Sequence, residues 1–392
     1  MRYGRERLND WMLTSDCVYL NHGTVGATPR RVIAEYRRIQ DEIESQPAQF
    51  LLRELADVDG QGDPAEPHMR VAARRIASHL RCSANQLGFV DNATTGVNAV
   101  VRSFTFRPGD EVVVTSLGYG AVNYAAKYAV ERAGGTVREI QMPDPGSAPE
   151  DFTRALISGV GDSTVMAIID HITSGSALVL PIAEMCRELR RAGVASLVDG
   201  AHAPGAIPLN VEEIGADWYT ANLHKWAWAP RSCGVLWARH ERLSDIHPVT
   251  ISWGSGNGFE AEFDLLGTRD PAPYLTAPFA MDLWNEWGGQ AIIEHNHSLA
   301  WEGAHYIADA IGSAVYAPRD MVGPMVAVPL PLRAGTTKAA GVALQRALLL
   351  EDHIECAVNL VHGQLYVRVS AQIYNDSSDF DKLADALKRR LA

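Results

Sequence analysis

The sequence predicts an α/β protein with a large domain, built on a mostly parallel sheet covered by helices on both faces, and a smaller α+β domain at the C-terminal end. Three observations support this. Short apolar segments, typical of strands buried on both faces, alternate with helical segments up to about residue 240. Polar residues follow several of these segments, as they do at the carboxyl ends of parallel strands. After residue 324 the predicted order is βαββα, which indicates an α+β layer.

The predicted strands are short, apolar and bounded by polar or glycine-containing turns. Those of the large domain cover residues 87–90, 111–116, 136–142, 164–170, 194–198, 216–223 and 232–238. Those of the smaller domain cover residues 325–330, 353–358 and 364–372.

Helices are predicted where apolar residues recur at helical spacing. The first begins at Pro29, whose fixed φ suits a helix start, and ends near residue 45, ahead of Pro47. A second ends near Leu80, and others cover residues 97–104, 181–193, 276–287, 290–314, 337–350 and 378–391.

Two segments without predicted helix or strand complete the organisation. Residues 57–67, DVDGQGDPAEP, are predicted to form an acidic loop. Residues 1–28 are predicted to be an arm with little regular structure, in which the Asn21-His22-Gly23 stretch suits a turn. The chain then divides into this arm, a large domain at 29–275 and a small domain at 276–392.

The composition restricts the class of protein. A hydrophobic content of 47% supports a sizeable core, and a net charge of −12 argues against nucleic acid as a partner. No stretch approaches a membrane span, and the start, MRYGRERLNDW, lacks the apolar run of a secretory signal. The five cysteines are scattered, without a metal-binding or C-x-x-C spacing. We therefore expect a cytoplasmic protein that binds neither membrane nor nucleic acid, with no metal site.

The stretch VDGAHAPGAIPLNVEEIGADWYTANLHKW (198–226) carries the main candidate site. Asp199 follows the apolar segment 194–198, so its carboxylate lies where ligands bind in parallel sheets. His202 comes three residues later, and the segment 216–223 leads to His224 and Lys225. The chain has five lysines, of which Lys225 alone lies in an aromatic-rich segment. An apolar setting lowers the pKa of a lysine, and its neutral amine can attack carbonyl groups. The alternative is a lysine at a strand end whose side chain extends to solvent.

A second candidate site follows the strand at 87–90. The sequence Asn92-Ala93-Thr94-Thr95-Gly96 joins this strand to a helix, and the N–H groups of a helix N-terminus bind anions. Simple capping of the helix by a threonine is the alternative.

These motifs, in this order, resemble the class V aminotransferase family, and within it the isopenicillin N epimerase-like branch. The resemblance rests on Asp-Gly-Ala-His and the later His-Lys, and on further matching segments: YLNHGTVGATP (19–29), PAQFLLREL (47–55), NATTGVNAV (92–100), DHITSGSALVLPI (170–182) and YVRVSAQIYN (366–375). It spans nearly the whole chain.

The resemblance implies a pyridoxal 5'-phosphate (PLP) enzyme of fold type I and assigns residues to the cofactor. Lys225 would form an aldimine with PLP, Asp199 would pair with the protonated ring nitrogen, and His202 would lie near the phenolic oxygen. Tyr119 would stack on the ring, although the family's acidic residue before this tyrosine is Gly118 here. The other implied cofactor residues are Ala93, Thr94, Thr95, Asn222 and His224 at the phosphate, and Thr173 and Ser174 near the phenolic oxygen.

The resemblance also implies a homodimer with the active site at its interface. Trp253 and Thr268 are the candidates for reaching the neighbouring subunit's phosphate. Arg368 would bind the carboxylate of an amino-acid substrate, a role that suits a guanidinium fork, although a cross-strand surface charge is the alternative. Asn21 and His22 are further candidates for substrate binding.

The reaction implied first is epimerisation at the α-carbon of an amino acid or peptide-like amine. It needs a second acid/base opposite Lys225, for which Tyr119 and His22 are the candidates. A C–S lyase of a sulfur-containing amino acid and an aminotransferase are the alternatives within this class. Cys356 lies near the position of a desulfurase nucleophile, but its apolar segment predicts a core residue.

Functions from other classes fit the sequence less well. A hydrolase built on Asp199 and His202 lacks a G-x-S-x-G motif, and metal chemistry lacks H-E-x-x-H. A nucleotide-binding protein would need a Walker A or G-x-G-x-x-G motif, and neither is present. A non-catalytic relative of PLP enzymes is disfavoured because Asp199 and Lys225 are both retained.

Overall fold

In a computed structural model of the chain, residues 2–56 and 66–392 are described. Most of the predicted loop at 57–67 lies outside these residues. Twelve strands are present in this part of the chain: β1 (Val18–Tyr19), β2 (Leu87–Val90), β3 (Glu111–Thr115), β4 (Thr136–Ile140), β5 (Thr164–Asp170), β6 (Ala195–Asp199), β7 (Trp218–Asn222), β8 (Gly234–Ala238), β9 (Met325–Pro329), β10 (Ile354–Glu355), β11 (Ala357–Val361) and β12 (Gln364–Ser370).

The α-helices of the same residues are α1 (His22–Val25), α2 (Arg30–Ser45), α3 (Pro47–Gln49), α4 (His68–Leu80), α5 (Ala93–Ser103), α6 (Gly120–Arg132), α7 (Pro149–Ser158), α8 (Ile182–Arg191), α9 (Val211–Ile214), α10 (Phe259–Asp264), α11 (Ala272–Glu286), α12 (Gln290–Ile311), α13 (Lys338–Asp352) and α14 (Ser377–Arg390). A π-helical turn, Phe50–Glu54, follows α3, and five short 3-10 helices lie at Arg5–Asp10, Ala84–Gln86, His240–Asp245, Arg319–Met321 and Leu332–Ala334.

Seven strands form the central sheet in the order β2-β8-β7-β6-β5-β3-β4. All neighbouring pairs are parallel except the two made by β8, which runs antiparallel to β2 and β7. The predicted mostly parallel sheet and the α/β fold class are confirmed.

The sheet is buried on both faces because its strands supply apolar side chains to two separate cores. In β5, Met166 and Ile168 belong to the core under α5 and α6, whereas Ala167 and Ile169 belong to the core on the opposite face. This explains why the sequence shows continuous apolar runs instead of alternation.

The C-terminal part forms an antiparallel sheet in the order β11-β12-β9, with α12 packed against α14 and β9. The predicted single strand at 353–358 is wrong in one respect, because it divides at Cys356 into β10 and β11. The proposed boundary between residues 275 and 276 stays a prediction, and it falls within α11, which packs against α2 and α4.

The prediction that residues 1–28 have little regular structure is also incorrect in part. Strand β1 pairs in parallel with β10, and the Asn21-His22-Gly23 stretch enters the short helix α1 instead of a turn. Hydrogen bonds to distant partners order the arm, and periodicity within so short a segment carries no sign of them. No helix in residues 2–56 and 66–392 is long and apolar enough to cross a membrane.

Candidate active site

The carboxyl ends of β5, β6 and β7 meet at one edge of the sheet, and a cavity of about 590 Å³ opens there. This volume is typical of a small-molecule site. Ten of the residues singled out from the sequence line it: Ala93, Thr94, Thr95, Tyr119, Ser174, Asp199, His202, Asn222, His224 and Lys225.

Lys225 is buried, with a relative exposure of 9%. Its Nζ lies 3.1 Å from Nε2 of His202. Burial lowers the pKa of the Lys225 amine to about 8, and the attraction of Asp199 opposes this shift. A useful fraction of the amine is therefore neutral near neutral pH, as a nucleophile or base requires.

His202 is itself fully buried, and burial lowers its pKa well below the ordinary value. The ring is therefore neutral. The Nε2 atom of this ring is bonded to Lys225 Nζ. The other ring nitrogen, Nδ1, has no hydrogen-bond partner among the residues described.

Asp199 ends β6, where its Oδ1 accepts a hydrogen bond of 2.9 Å from the Ala201 N–H. Burial raises its pKa, while the Ala201 hydrogen bond and the Lys225 charge oppose the rise. A cationic ring nitrogen placed against this carboxylate would reverse the shift, because an opposite charge favours the ionised acid.

Asp170 is a cavity residue that the sequence reasoning missed. It ends β5, directly paired with Asp199, so the two side chains share one face of the sheet. Burial and the neighbouring Asp199 raise its pKa well above the ordinary value, which favours the protonated carboxyl. A Cβ added to Gly118 would lie 3.4 Å from Asp170 Oδ2, so Asp170 places an acid close to the position where the family has one. The sequence feature that could have identified Asp170 is a carboxylate at the end of a buried strand.

The N-terminal turn of α5 borders the cavity and forms a candidate anion cradle. The Asn92 side chain accepts from Thr95 N–H at 3.0 Å, and Asn222 Oδ1 accepts from Ala93 N–H at 2.8 Å. These bonds shape the turn and make Thr94 its candidate ligand. The turn is therefore capped, and it also faces the cavity, so its role as an anion site stays a prediction.

His224 borders the same end of the cavity. Its Nδ1 donates to the Cys233 carbonyl oxygen at 3.0 Å, which leaves Nε2 for a ligand. Burial lowers the His224 pKa to about 4. Arg231 and Ser232 also line the cavity and were not singled out from the sequence, where they follow the His-Lys motif in an irregular segment.

Arg368 lies behind the cavity wall and is buried, with 3% exposure. Its hydrogen-bond partners in the described chain are uncharged: Ser174 O at 2.6 Å, Thr24 Oγ1 at 2.6 Å and Asn21 Oδ1 at 3.2 Å. Its Nε has no partner there, and burial lowers its pKa to about 10. Such a guanidinium is suited to an incoming carboxylate, and the alternative of a surface charge is wrong.

Besides Asn21 and Arg368, four residues assigned to the site from the sequence do not line the cavity. His22 is fully buried beneath Lys225, and Thr173 Oγ1 is bonded to Ser176 Oγ at 2.7 Å and to Leu178 N–H. Trp253 is 82% exposed, and Thr268 is also exposed. For His22 and Thr173, sequence proximity to the motifs did not reveal this placement. The role of Trp253 and Thr268 toward a neighbouring subunit stays a prediction.

The lowered Lys225 pKa predicts a specific pH dependence in protein freed of cofactor. Reductive methylation requires the neutral amine, so the Lys225 rate should rise with pH and level off above about pH 8. Peptide mapping after brief labelling at each pH measures this rate. A midpoint at the ordinary lysine value of about 10.4 would contradict the prediction.

The fold and the site define a PLP-dependent enzyme of fold type I. A buried lysine amine, a strand-end carboxylate and an anion cradle surround one cavity, and PLP requires these groups for its aldehyde, ring nitrogen and phosphate. The unpartnered Nδ1 of His202 supplies a polar atom beside the lysine. The residues therefore fit this cofactor.

The chain belongs to the class V aminotransferase family, whose model matches residues 19–383. Class V aminotransferases use PLP, so the predicted family and cofactor are confirmed. A probable chloroplastic L-cysteine desulfhydrase of Arabidopsis thaliana is 32% identical and aligns over 95% of this chain and 82% of its own length. The isopenicillin N epimerase of Streptomyces clavuligerus is 30% identical over 96% of this chain and 95% of its own.

The fold is shared with a solved structure of a C-DES mutant that has glycine covalently linked to its PLP cofactor. The TM-score is 0.79 and the identity 21%, with 97% of this chain and 98% of that chain covered. This likeness confirms the predicted fold type.

Proposed function

We propose that this protein is a PLP-dependent C–S lyase that removes the sulfur substituent from a cysteine-type amino acid. The observation that carries the proposal is the placement of the acid/base groups. Lys225 and His202 form one pair at 3.1 Å, whereas His22, a candidate for the opposite face, is buried away from the cavity. A β-elimination needs one such group, and an epimerisation needs two.

Bound PLP would supply an aldehyde for the lysine and the substrate amine, and a ring that withdraws electrons from the α-carbon. Asp199 would hold a proton at the ring nitrogen, and Tyr119 would cover the ring face. Thr94 and His224 would hold the phosphate. Each of these residues lines the same cavity.

The Lys225 amine would act as base when substrate is bound, taking the α-proton of the amino acid. The same ammonium would then protonate the departing sulfur. His202, held neutral by burial, accepts a hydrogen bond from Nζ and keeps it beside the cavity. The net reaction converts a cysteine-type substrate and water into a thiol, pyruvate and ammonium.

Arg368 would orient the substrate through its carboxylate. Two of its present partners, Thr24 and Ser174, line the cavity, so an incoming carboxylate would meet the guanidinium beside them. A charge-assisted pair with a carboxylate offsets the cost of a buried guanidinium that has neutral partners.

Epimerisation, the reaction that the sequence resemblance favours, is the second candidate. Tyr119 is the residue that favours it, because this residue lines the cavity and retains 47% exposure. It would act on the face opposite Lys225. An aminotransferase would also begin by removing the α-proton of the substrate. It would then return the proton to the cofactor instead of to the α-carbon.

Incubation with L-cysteine in deuterated water separates these reactions. A lyase releases sulfide and pyruvate in equal amounts, whereas an epimerase returns cysteine of both configurations with deuterium at the α-carbon. Deuterated, racemised cysteine without sulfide would overturn the lyase proposal. S-Substituted cysteines tested alongside identify the thiol that the cavity prefers.

Cys356 is fully buried, and burial with the neighbouring Glu355 raises its pKa, so no thiolate is offered to substrate. We therefore predict that Cys356→Ala keeps sulfide release within about twofold of the wild type, since an inert core thiol takes no part in the chemistry. The release rate measures this. A persulfide formed on the wild type from cysteine, and absent from the variant, would instead indicate a desulfurase.

We also infer a homodimer with the active site near its interface. The segment 249–253 exposes Val249, Ile251 and Trp253 by 41%, 61% and 82%. Val249 lines a smaller cavity of about 240 Å³ that shares Thr95 and other wall residues with the main one. Sedimentation should show a dimer, and a monomer that binds PLP tightly would contradict this.

A further inference from the structure

The N-terminal arm lies against the main chain that carries Lys225. Gly26 has a φ of +69°, and a Cβ there would lie 2.9 Å from the Lys225 Cα. Thr28 Oγ1 donates to the Ala229 carbonyl at 3.3 Å. The arm therefore packs against the segment from Lys225 to Ala229.

His22 makes the arm's direct bond to the lysine. Its Nε2 lies 3.1 Å from the carbonyl oxygen of Lys225, and its Nδ1 lies 2.9 Å from the hydroxyl of Tyr374. The ring is fully buried and packs on Trp226 with centroids 4.9 Å apart. Both nitrogens are therefore used within the protein.

The contacts define one protonation state of His22. Burial lowers its pKa to about 4, so the ring is neutral, and burial raises the Tyr374 pKa, so the hydroxyl keeps its proton. Tyr374 donates to Nδ1, and Nε2–H donates to the Lys225 carbonyl. Gln372 Nε2, at 3.3 Å, is the longest contact and adds no bond in this tautomer.

The same arm segment also holds the arginine assigned to the substrate carboxylate. Asn21 and Thr24, which flank His22, accept hydrogen bonds from Arg368. The lysine main chain and the carboxylate site are thus connected through one short helix, α1. A shift of this helix would change the distance between the reacting amine and the bound substrate.

We propose that His22 is a positioning residue, whose neutral imidazole joins the Lys225 carbonyl to Tyr374 and sets the position of the lysine relative to substrate. The proposal rests on the proposed use of Lys225 with PLP. It replaces the two roles expected from the sequence, substrate contact and second acid/base, because the ring is buried and both nitrogens are bonded.

The experiment compares two substitutions in the PLP-loaded enzyme. His22→Phe keeps a ring and removes both hydrogen bonds, whereas His22→Gln retains an N–H that can reach the Lys225 carbonyl. We expect His22→Phe to lower kcat by about 10- to 100-fold, as misplacement of a catalytic group does, with little change in KM. The pH midpoint of the visible band of Lys225-bound PLP should also move. His22→Gln should recover most of both properties.

A matched control removes a similar hydrogen bond elsewhere. In Ser313→Ala, the variant loses the bond of 2.7 Å from Ser313 Oγ to the Pro329 carbonyl, which lies in the C-terminal part of the chain. Its kcat and band titration should equal those of the wild type, whatever its melting temperature. If His22→Phe leaves both unchanged, or if kcat follows melting temperature equally in all variants, His22 has a packing role only and the proposal is wrong.

A second variant tests the proposal if the first one does not fold. If His22→Phe does not fold, Tyr374→Phe removes the bond to Nδ1 and keeps the ring, and its band midpoint should move, with a smaller loss of kcat. An unchanged midpoint there would overturn the proposal. Failure of the proposed use of Lys225 is seen separately, as a wild-type protein in which borohydride fixes no pyridoxyl group on Lys225. Failure of the lyase proposal is seen as a wild-type protein that releases no sulfide from L-cysteine.

Discussion

Replacing Lys225 with alanine is expected to lower turnover by about 10⁴-fold or more, because the substitution removes both the covalent attachment and the base. PLP should still bind, since the anion cradle at α5 and the Asp199 carboxylate do not depend on the lysine. Borohydride reduction followed by peptide mapping should find the pyridoxyl group on Lys225 in the wild type and on no peptide of the variant.

The fold should tolerate this substitution. Burial already opposes the charged form of the Lys225 amine, so its removal relieves a cost that offsets part of the lost packing. Lys388→Ala, a variant of a lysine in α14, is the control and should retain full activity. A pyridoxyl label on Lys388 in the wild type, or normal turnover by Lys225→Ala, would contradict the assignment.

Replacing Asp199 with asparagine is expected to lower turnover by about 10²- to 10³-fold, because the amide removes the charge that would hold a proton on the ring nitrogen. The shape and the hydrogen bond from Ala201 N–H are conserved, since the amide oxygen accepts as the carboxylate does. The visible spectrum of bound PLP should change along with the rate.

Asp217→Asn provides a matched control. Asp217 is buried beside the same sheet, where its Oδ2 accepts from Ser196 N–H at 2.9 Å, but it does not line the cavity. Its substitution should affect unfolding temperature and leave the PLP spectrum unchanged. Equal losses of activity in both variants would indicate that Asp199 matters for stability alone.

The predicted site residues that line the cavity share one property, which is their position at the end of a buried strand or the start of a helix. Asp199, Lys225 and the Asn92–Thr95 turn were found because parallel strands place their carboxyl ends at one edge. Asp170 has the same property and was missed, although it begins the matching segment at 170–182, because only Thr173 and Ser174 of that segment had been assigned a role.

Two of the predicted site residues lie outside the cavity because other contacts hold their side chains. His22 is held by Tyr374 and by the Lys225 carbonyl, more than 200 residues away in sequence. Thr173 belongs to a motif beside the site, but its hydroxyl is used within its own turn. Neither arrangement follows from periodicity or from motif spacing.

The sequence alone indicated the fold class and most of the strands and helices, because these follow from local patterns that persist along the chain. The family and the cofactor followed from its resemblance to the class V aminotransferases. The tertiary structure decided which side chains face the cavity, which protons they hold and how the arm supports Lys225. These properties depend on burial and on hydrogen bonds across the fold. Desolvation and long-range contacts exist only once the strands and the arm have packed together.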